Sequence, residues 1–285
     1  ALPVAAAQPV DGATTPEPEV DAAAPAADGT NGPPADLGDD RLEFRLTFAG
    51  AHRYETELDG GADSDVTSFI VEPEITWNQD ERTQWSFGAS YILDQYDFSG
   101  SGGLGELDPW EDVQQVSFSA LLRRRLDDGW SFFGGPVLRF AAEDGADLED
   151  GLSVGGFLGL GYRVDERLTI GPGVGVFSEI EGDVDVFPVI IVDWRIRDDL
   201  TLRTGGGTGA TRGPGLELAW RASDELEVLL AGRYESERFR LDDEGVAPEG
   251  VGEAEGFGLV AGLRWTPSSS IRISAVGGVR FANQL

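Results

Sequence analysis

Gly151-Leu152-Ser153-Val154-Gly155-Gly156-Phe157-Leu158-Gly159-Leu160-Gly161-Tyr162-Arg163-Val164 decides how this chain is read. Leu152, Val154, Leu158, Leu160, Tyr162 and Val164 share one parity. Gly151, Ser153, Gly155, Gly159, Gly161 and Arg163 share the other, and Phe157 is the exception. Successive side chains of a strand point to opposite faces, so this is a strand with one greasy face and one small or polar face. The glycines and the period of two both argue against a helix.

The same texture recurs on both sides of this segment. Ile271, Ile273, Ala275, Val279 and Phe281 oppose Arg272, Ser274 and Arg280. Phe257, Leu259, Ala261, Leu263 and Trp265 oppose Gly256, Gly258, Gly262 and Arg264. Trp85, Phe87, Ala89, Tyr91 and Leu93 oppose Gln84, Ser86, Gly88 and Ser90, and Leu42, Phe44, Leu46 and Phe48 oppose Glu43, Arg45 and Thr47. Alternating segments are expected at 41–54, 66–78, 83–96, 113–125, 130–141, 151–164, 167–178, 184–196, 200–205, 214–221, 226–239, 256–265 and 271–282. Most approach the ~9–11 residues with which a tilted strand crosses a bilayer.

The connections alternate in kind. Asn78-Gln79-Asp80-Glu81, Leu126-Asp127-Asp128-Gly129, Asp165-Glu166, Arg197-Asp198-Asp199, Ser223-Asp224-Glu225 and Pro267-Ser268-Ser269 have turn chemistry. The loops at 55–65, 97–112, 142–150, 179–183, 206–213 and 240–255 are mostly longer and acidic. Six of the seven tryptophans lie near a short turn: Trp77, Trp85, Trp130, Trp194, Trp220 and Trp265. Tyr162 takes the equivalent place beside Asp165, and Trp110 alone falls in a long loop. Folding the hairpins gathers these rings at one rim, as an aromatic girdle at a membrane–water interface would require. A soluble sandwich has no reason to collect tryptophan at one rim.

The expected fold is therefore all-β, an up-and-down antiparallel transmembrane β-barrel of about 12–14 strands. Residues 1–40 are an acidic leader rich in Ala and Pro, and 41–285 form the barrel. The leader carries Asp11, Glu17, Glu19, Asp21, Asp28, Asp36, Asp39 and Asp40 with no Arg and no aromatic residue, a composition expected to stay flexible or to serve as an arm for a periplasmic partner. Bacterial barrels have even strand numbers. An odd count of segments implies either a final strand beyond the sequence or one strand miscounted. Pro73, Pro136, Pro172, Pro188 and Pro214 fall inside the expected strands, and the glycines beside three of them suggest bulges.

The inward face is expected to carry Arg45, Glu72, Glu74, Arg123, Arg125, Arg139, Arg163, Asp193, Arg195, Glu217, Arg233, Arg264, Arg272 and Arg280. Mixed charges inside a barrel either pair and close it or line a wet path. The net charge of −31, with every basic residue an Arg, excludes a nucleic-acid footprint. With no Cys there is neither a disulfide nor a thiolate metal site. No Met begins the sequence, and Ala5-Ala6-Ala7 before Gln8 fits the end of an export signal, so a bacterial outer-membrane location is expected.

The single histidine, His52, reads as a rim residue and excludes most hydrolase constellations, so no catalytic residue or cofactor is expected. Gly205-Gly206-Gly207-Thr208-Gly209 lacks the following Lys of a phosphate-binding loop. Divalent cations are weak candidates at Asp59, Asp63 and Asp65 and at Asp147, Glu149 and Asp150, none with EF-hand spacing; Asp242, Asp243 and Glu244 cluster likewise. Outer-membrane lipid and lipopolysaccharide are the expected partners, and the oligomeric state stays open.

Hairpins such as Gly161-Tyr162-Arg163-Val164-Asp165-Glu166-Arg167-Leu168-Thr169-Ile170-Gly171, and the run Tyr234-Glu235-Ser236-Glu237-Arg238-Phe239-Arg240-Leu241-Asp242-Asp243, resemble those of uncharacterised Gram-negative outer-membrane β-barrel proteins. The resemblance spans 41–285 and implies a barrel, without any functional residue to carry over. Porin-like passage of small solutes and a closed structural or surface-interaction barrel are the two functions it leaves open.

Overall fold

A computed structural model describes residues 41–58, 62–100, 104–182, 184–204, 215–244 and 247–284. Thirteen strands follow one another in a single antiparallel meander, each paired with its neighbours in sequence. They are β1 (Leu42–Leu58), β2 (Ala62–Asp80), β3 (Thr83–Gly100), β4 (Asp112–Arg125), β5 (Trp130–Glu143), β6 (Leu152–Arg163), β7 (Leu168–Ser178), β8 (Val184–Arg197), β9 (Leu200–Thr204), β10 (Gly215–Arg221), β11 (Leu226–Arg240), β12 (Val251–Ser268) and β13 (Ile271–Gln284). A helical turn α1 (Leu104–Leu107) precedes β4, and a 3-10 turn (Leu148–Gly151) precedes β6. The sheet curls into an up-and-down barrel, far enough that the loop-end tips of β5 and β11 meet in a parallel bridge between Ala142 and Arg240. Among the described residues no ladder joins β1 to β13. The leader 1–40, Pro214, the 205–209 glycine run and Asp59 lie outside the described residues.

Each expected segment is a strand, but β1, β2, β3, β11 and β12 run further toward the loop end than the alternation of greasy and polar residues suggests. Much of 55–65, 97–100 and 251–255, read as loop from its polarity, is ladder. The reason is a reversal of the pattern along the strand. On β3 the outward residues near the short turns are Trp85, Phe87, Ala89, Tyr91 and Leu93, and the outward residues beyond them are Gln95, Asp97 and Ser99. The inward parity changes the other way, from Gln84, Ser86 and Ser90 to Ile92, Tyr96 and Phe98, all three of which are buried. β2 repeats this. Phe69, Ile75 and Trp77 face out below, Asp63 and Asp65 face out above, and Val66 and Ile70 are buried inside. A strand read only for outward greasiness ends where the greasy side moves indoors.

The prolines correct a second expectation. Pro73, Pro136, Pro172 and Pro188 sit within ladders that keep one register on both sides of them. Pro73 opposes Leu46 but has no partner on β3, and Pro136 opposes Gly156 but has none on β4. One missing donor toward one neighbour is absorbed as two skipped pairs. The register shifts fall at strand ends instead, at Arg53/Thr56, Asn78/Asp80, Arg195/Arg197, Glu255/Phe257 and Trp265/Ser268. The neighbouring glycines allow close approach: a Cβ at Gly135 would lie 1.8 Å from the Ala120 carbonyl oxygen, and one at Gly171 would lie 1.7 Å from that of Leu160. Gly135→Ala and Gly171→Ala are each expected to cost about 1–3 kcal/mol by overpacking. The measurement is the midpoint of the shift between folded and unfolded bands on a detergent gel. An unchanged midpoint would mean the two strands can separate freely there.

Candidate functional site

The inner face is organised in levels. Nearest the short turns it carries charge. Glu217 on β10 is 1% exposed, and its carboxylate takes Arg203 Nη2 at 2.6 Å and Arg264 Nη2 at 3.2 Å. Arg264 also donates to Glu227 at 2.9 Å. Four strands, β9 to β12, thus supply one connected lattice. Arg45 pairs with Glu74 at 3.4 Å, and Arg123 on β4 lies in the fields of both Glu74 and Asp193, reaching from β2 to β8 across the interior. Buried Arg264 and half-buried Arg203 share one carboxylate, and deleting one member of such a set exposes the others to an uncompensated desolvation cost.

Midway, β5–β8 present an apolar wall. Phe157, the exception in the deciding stretch, packs its ring 5.2 Å from Phe177 and 6.0 Å from Phe187. Glycines on adjoining strands make the floor: a Cβ at Gly155 would stand 2.3 Å from the Phe177 ring, and one at Gly175 would stand 2.4 Å from that of Phe187. Arg139 places its guanidinium 5.7 Å over Phe177. On the β2–β4 side the same depth is polar, with buried Ser68, Ser90, Asp94, Gln115 and Ser117 and a hydrogen bond from Ser68 to Asp94.

At the loop end the interior is aromatic. Val66, Tyr96, Phe98, Trp110, Val113, Ala141, Phe239 and Leu241 form one buried cluster. Trp110 meets Phe98 and Phe239 edge-on at 5.3 Å and Tyr96 at 5.9 Å. Trp110 is 5% exposed, and among the described residues its Nε1 has no hydrogen-bond partner. The tip of β11 lies across this mouth with both sides covered. Phe239 enters the aromatic cluster and lies flat on Gly252, while Arg240, on the other parity, donates to Glu181 at 2.6 Å and to the carbonyls of Asp150 and Glu249. Arg238 pairs with Glu179 and Glu253. Burial disfavours its charge, but the bonds from Glu253 and Glu179 outweigh this and raise its pKa above the ordinary arginine value.

The expected inward residues do share one face. Glu72, Glu74, Arg123, Arg125, Arg139, Asp193, Glu217, Arg233 and Arg264 are half-buried or buried on it, whereas Arg163, Arg195 and Arg272 are exposed near the short-turn rim. The Arg280 side chain lies outside the described residues. A uniformly polar interior is not what forms: aromatic and aliphatic side chains occupy the loop end and half the middle. Trp110, read as a loop tryptophan, is the centre of that packing. Its signal was available in Val66, Tyr96 and Phe98, greasy residues on the parity assigned to the interior.

The residues expected as a girdle, Trp77, Trp85, Trp130, Tyr162, Trp194, Trp220 and Trp265, lie on the outward parity at the short-turn end, with Trp77 opposite Trp85 and Trp130 opposite Tyr162 in the ladders. Three indoles donate toward the turns: Trp85 to Gln79 at 3.1 Å, Trp220 to Asp199 at 3.0 Å and Trp265 to Glu225 at 3.4 Å. Neighbouring turns are braced by Arg82–Asp127 and Arg167–Asp198 pairs. His52 is exposed on β1 and bonds Thr67 at 2.9 Å. Asp63 and Asp65 face outward on β2, Asp147 precedes the 3-10 turn that holds Glu149 and Asp150, and among the described residues no three acidic or imidazole groups converge as a metal site would.

No family model matches the chain, and no curated protein matches it. Among solved structures it is similar to the translocator domain of autotransporter NalP from Neisseria meningitidis, at 15% identity and a TM-score of 0.35, covering 85% of this chain and 84% of that one. It is also similar to the siderophore receptor PiuA from Acinetobacter baumannii, at 9% identity and a TM-score of 0.29, covering 86% of this chain and 55% of that one. Neither likeness is close enough to carry an argument, and what this chain does is read from its own residues.

Glu217→Ala strands Arg203 and Arg264 against each other, and about 3–5 kcal/mol of stability should be lost. Glu217→Gln, which keeps one acceptor oxygen in place, should lose less. Urea titration of the folded barrel in detergent distinguishes them. Equal losses from the two variants would show that the charge accounts for the whole effect, and no loss from either would show that the lattice does not stabilise the barrel.

Proposed function

We propose that this chain is a bacterial outer-membrane β-barrel that rests with its loop-end mouth closed and acts as a structural or surface-interaction barrel. The apolar outer band supports the membrane reading. From Phe69 to Trp77, from Trp85 to Leu93 and from Phe257 to Trp265 the outward residues are greasy or aromatic apart from one proline. Each run measures about 26 Å along the strand. Tilted, it gives ~20 Å of height, near the ~25 Å of an outer-membrane band. Indole N–H groups that donate toward the turns fit rings held in the interface, body in lipid and polar atom toward water. On this reading the partners are membrane lipid and lipopolysaccharide, and Asp63, Asp65, Asp97 and Asp112 stand in water above the band.

The packed cluster around Trp110 is the observation that favours closure. Burying that many rings stabilises the mouth by several kcal/mol, since a single aromatic deletion in a core costs ~3–5 kcal/mol. A second reading, porin-like passage of small solutes, is favoured by the charged inner wall that opens toward the short turns at Arg163, Arg195 and Arg272.

The membrane reading is tested by labelling. The chain has no Cys. Ser99→Cys and Ala89→Cys stand on the same outward face of β3. In lipid vesicles a water-soluble maleimide should modify the first and spare the second until detergent is added. Equal labelling of both would remove the lipid-facing band. The closed-mouth reading is tested by planar-bilayer recording of the folded chain, where long silent periods are expected. Sustained conductance from the unaltered chain would replace it with the porin-like reading.

A further inference from the structure

We propose that the tip of β11 is a latched gate: Arg238 and Arg240 hold it across the mouth against the 3-10 turn and the segment after β7, and its release opens the lumen. The proposal rests on the closed-mouth reading and supplies its regulation.

The geometry separates a fastening side from a sealing side on one strand end. Phe239 seals, with 1% exposure, against Trp110 and Tyr96. Arg240 fastens. Its guanidinium alone gathers the Glu181 carboxylate and two carbonyls that come from separate connections, Asp150 before β6 and Glu249 before β12. Arg238 adds Glu179. By contrast the backbone join is slight: β11 meets β5 through one bridge, whereas its ladder with β12 runs unbroken from Leu226 to Arg240.

Energetic costs collect at the same place. Among the described residues four non-glycine positions have left-handed backbone, and three of them are here: Glu181 at φ 55°, Glu249 at φ 55° and Asp108, close to Trp110, at φ 44°. Two of the three bond directly to Arg240. Such residues persist where surrounding contacts impose them, and they cluster at switching segments. Among the described residues the buried Trp110 indole N–H finds no acceptor, a penalty that water entering an opened mouth would relieve. Glu181 is 63% exposed, so the latch itself is wet and open to competition. Strain and an orphaned donor push toward opening, while ring packing and two arginines oppose them. An element poised in this way has two arrangements rather than one.

Arg238→Gln with Arg240→Gln removes the fastening and leaves the rings. Compared with the unaltered chain in planar bilayers, the double variant should open about tenfold more often, the scale of two partly exposed ion pairs. Heat-modifiable gel migration confirms that it is folded. Should it not fold, Ala142→Cys with Arg240→Cys replaces the latch by a bond between Cα partners, silent when oxidised and conducting when reduced. Folded variants as silent as the unaltered chain, reduced or not, overturn the gate and leave the closed barrel standing. Equal sustained conductance from the unaltered chain and the double variant overturns the closed mouth as well.

Discussion

Every strand in this chain has two faces and only two, and what lies outside the wall changes along its length. That constraint organises the rest. Where lipid would lie outside, greasy residues take the outward parity and the inward parity is free to hold charge, which must then be paired because it is enclosed. Where water lies outside, the outward parity turns polar and the inward parity must supply a core, as in a soluble sheet. The lattice around Glu217 and the cluster around Trp110 are thus two answers to one requirement, reached on the same face of the same wall.

The wall and its turns were legible in the sequence because period two survives translation into structure with no intermediary. Leu152–Tyr162 alternates on paper and alternates in space. So do the girdle residues, since a tryptophan two or three positions from a turn has its face and its height already decided. The lumen residues were legible in part. Parity places Arg123, Glu217 and Arg264 inside, but only the curl of the sheet brings Arg264 of β12 to Glu217 of β10. The cap was not legible, because it depends on contacts between residues far apart in sequence: Phe239 with Tyr96, Arg240 with Asp150 and Glu181. Phe157 shows the same limit. A phenylalanine on a glycine face looks like noise until Phe177 and Phe187 arrive beside it from the next two strands.

Glycine and proline do different work here from what their reputation as breakers suggests. Proline removes one donor on one side of a strand and the ladder resumes in register, as at Pro73 between Val71 and Glu74. Glycine makes the space that phenylalanine then occupies, as Gly155 and Gly175 do beneath Phe177 and Phe187. The wall is therefore tightly drawn where the inner rings pack against it.

The two outermost strands carry a consequence of direction. β1 climbs from the turn rim, where Leu42 stands opposite Trp77, and β13 climbs from the turn rim as well, with Ile273 opposite Trp265. Edges of like polarity can meet each other only through slanted parallel hydrogen bonds. A partner that makes the perpendicular bonds used everywhere else in this sheet has to descend, from the acidic rim toward the tryptophans. Among the described residues neither edge is laddered to the other, so sense of travel, rather than side-chain chemistry, is the first thing a partner of either edge must get right.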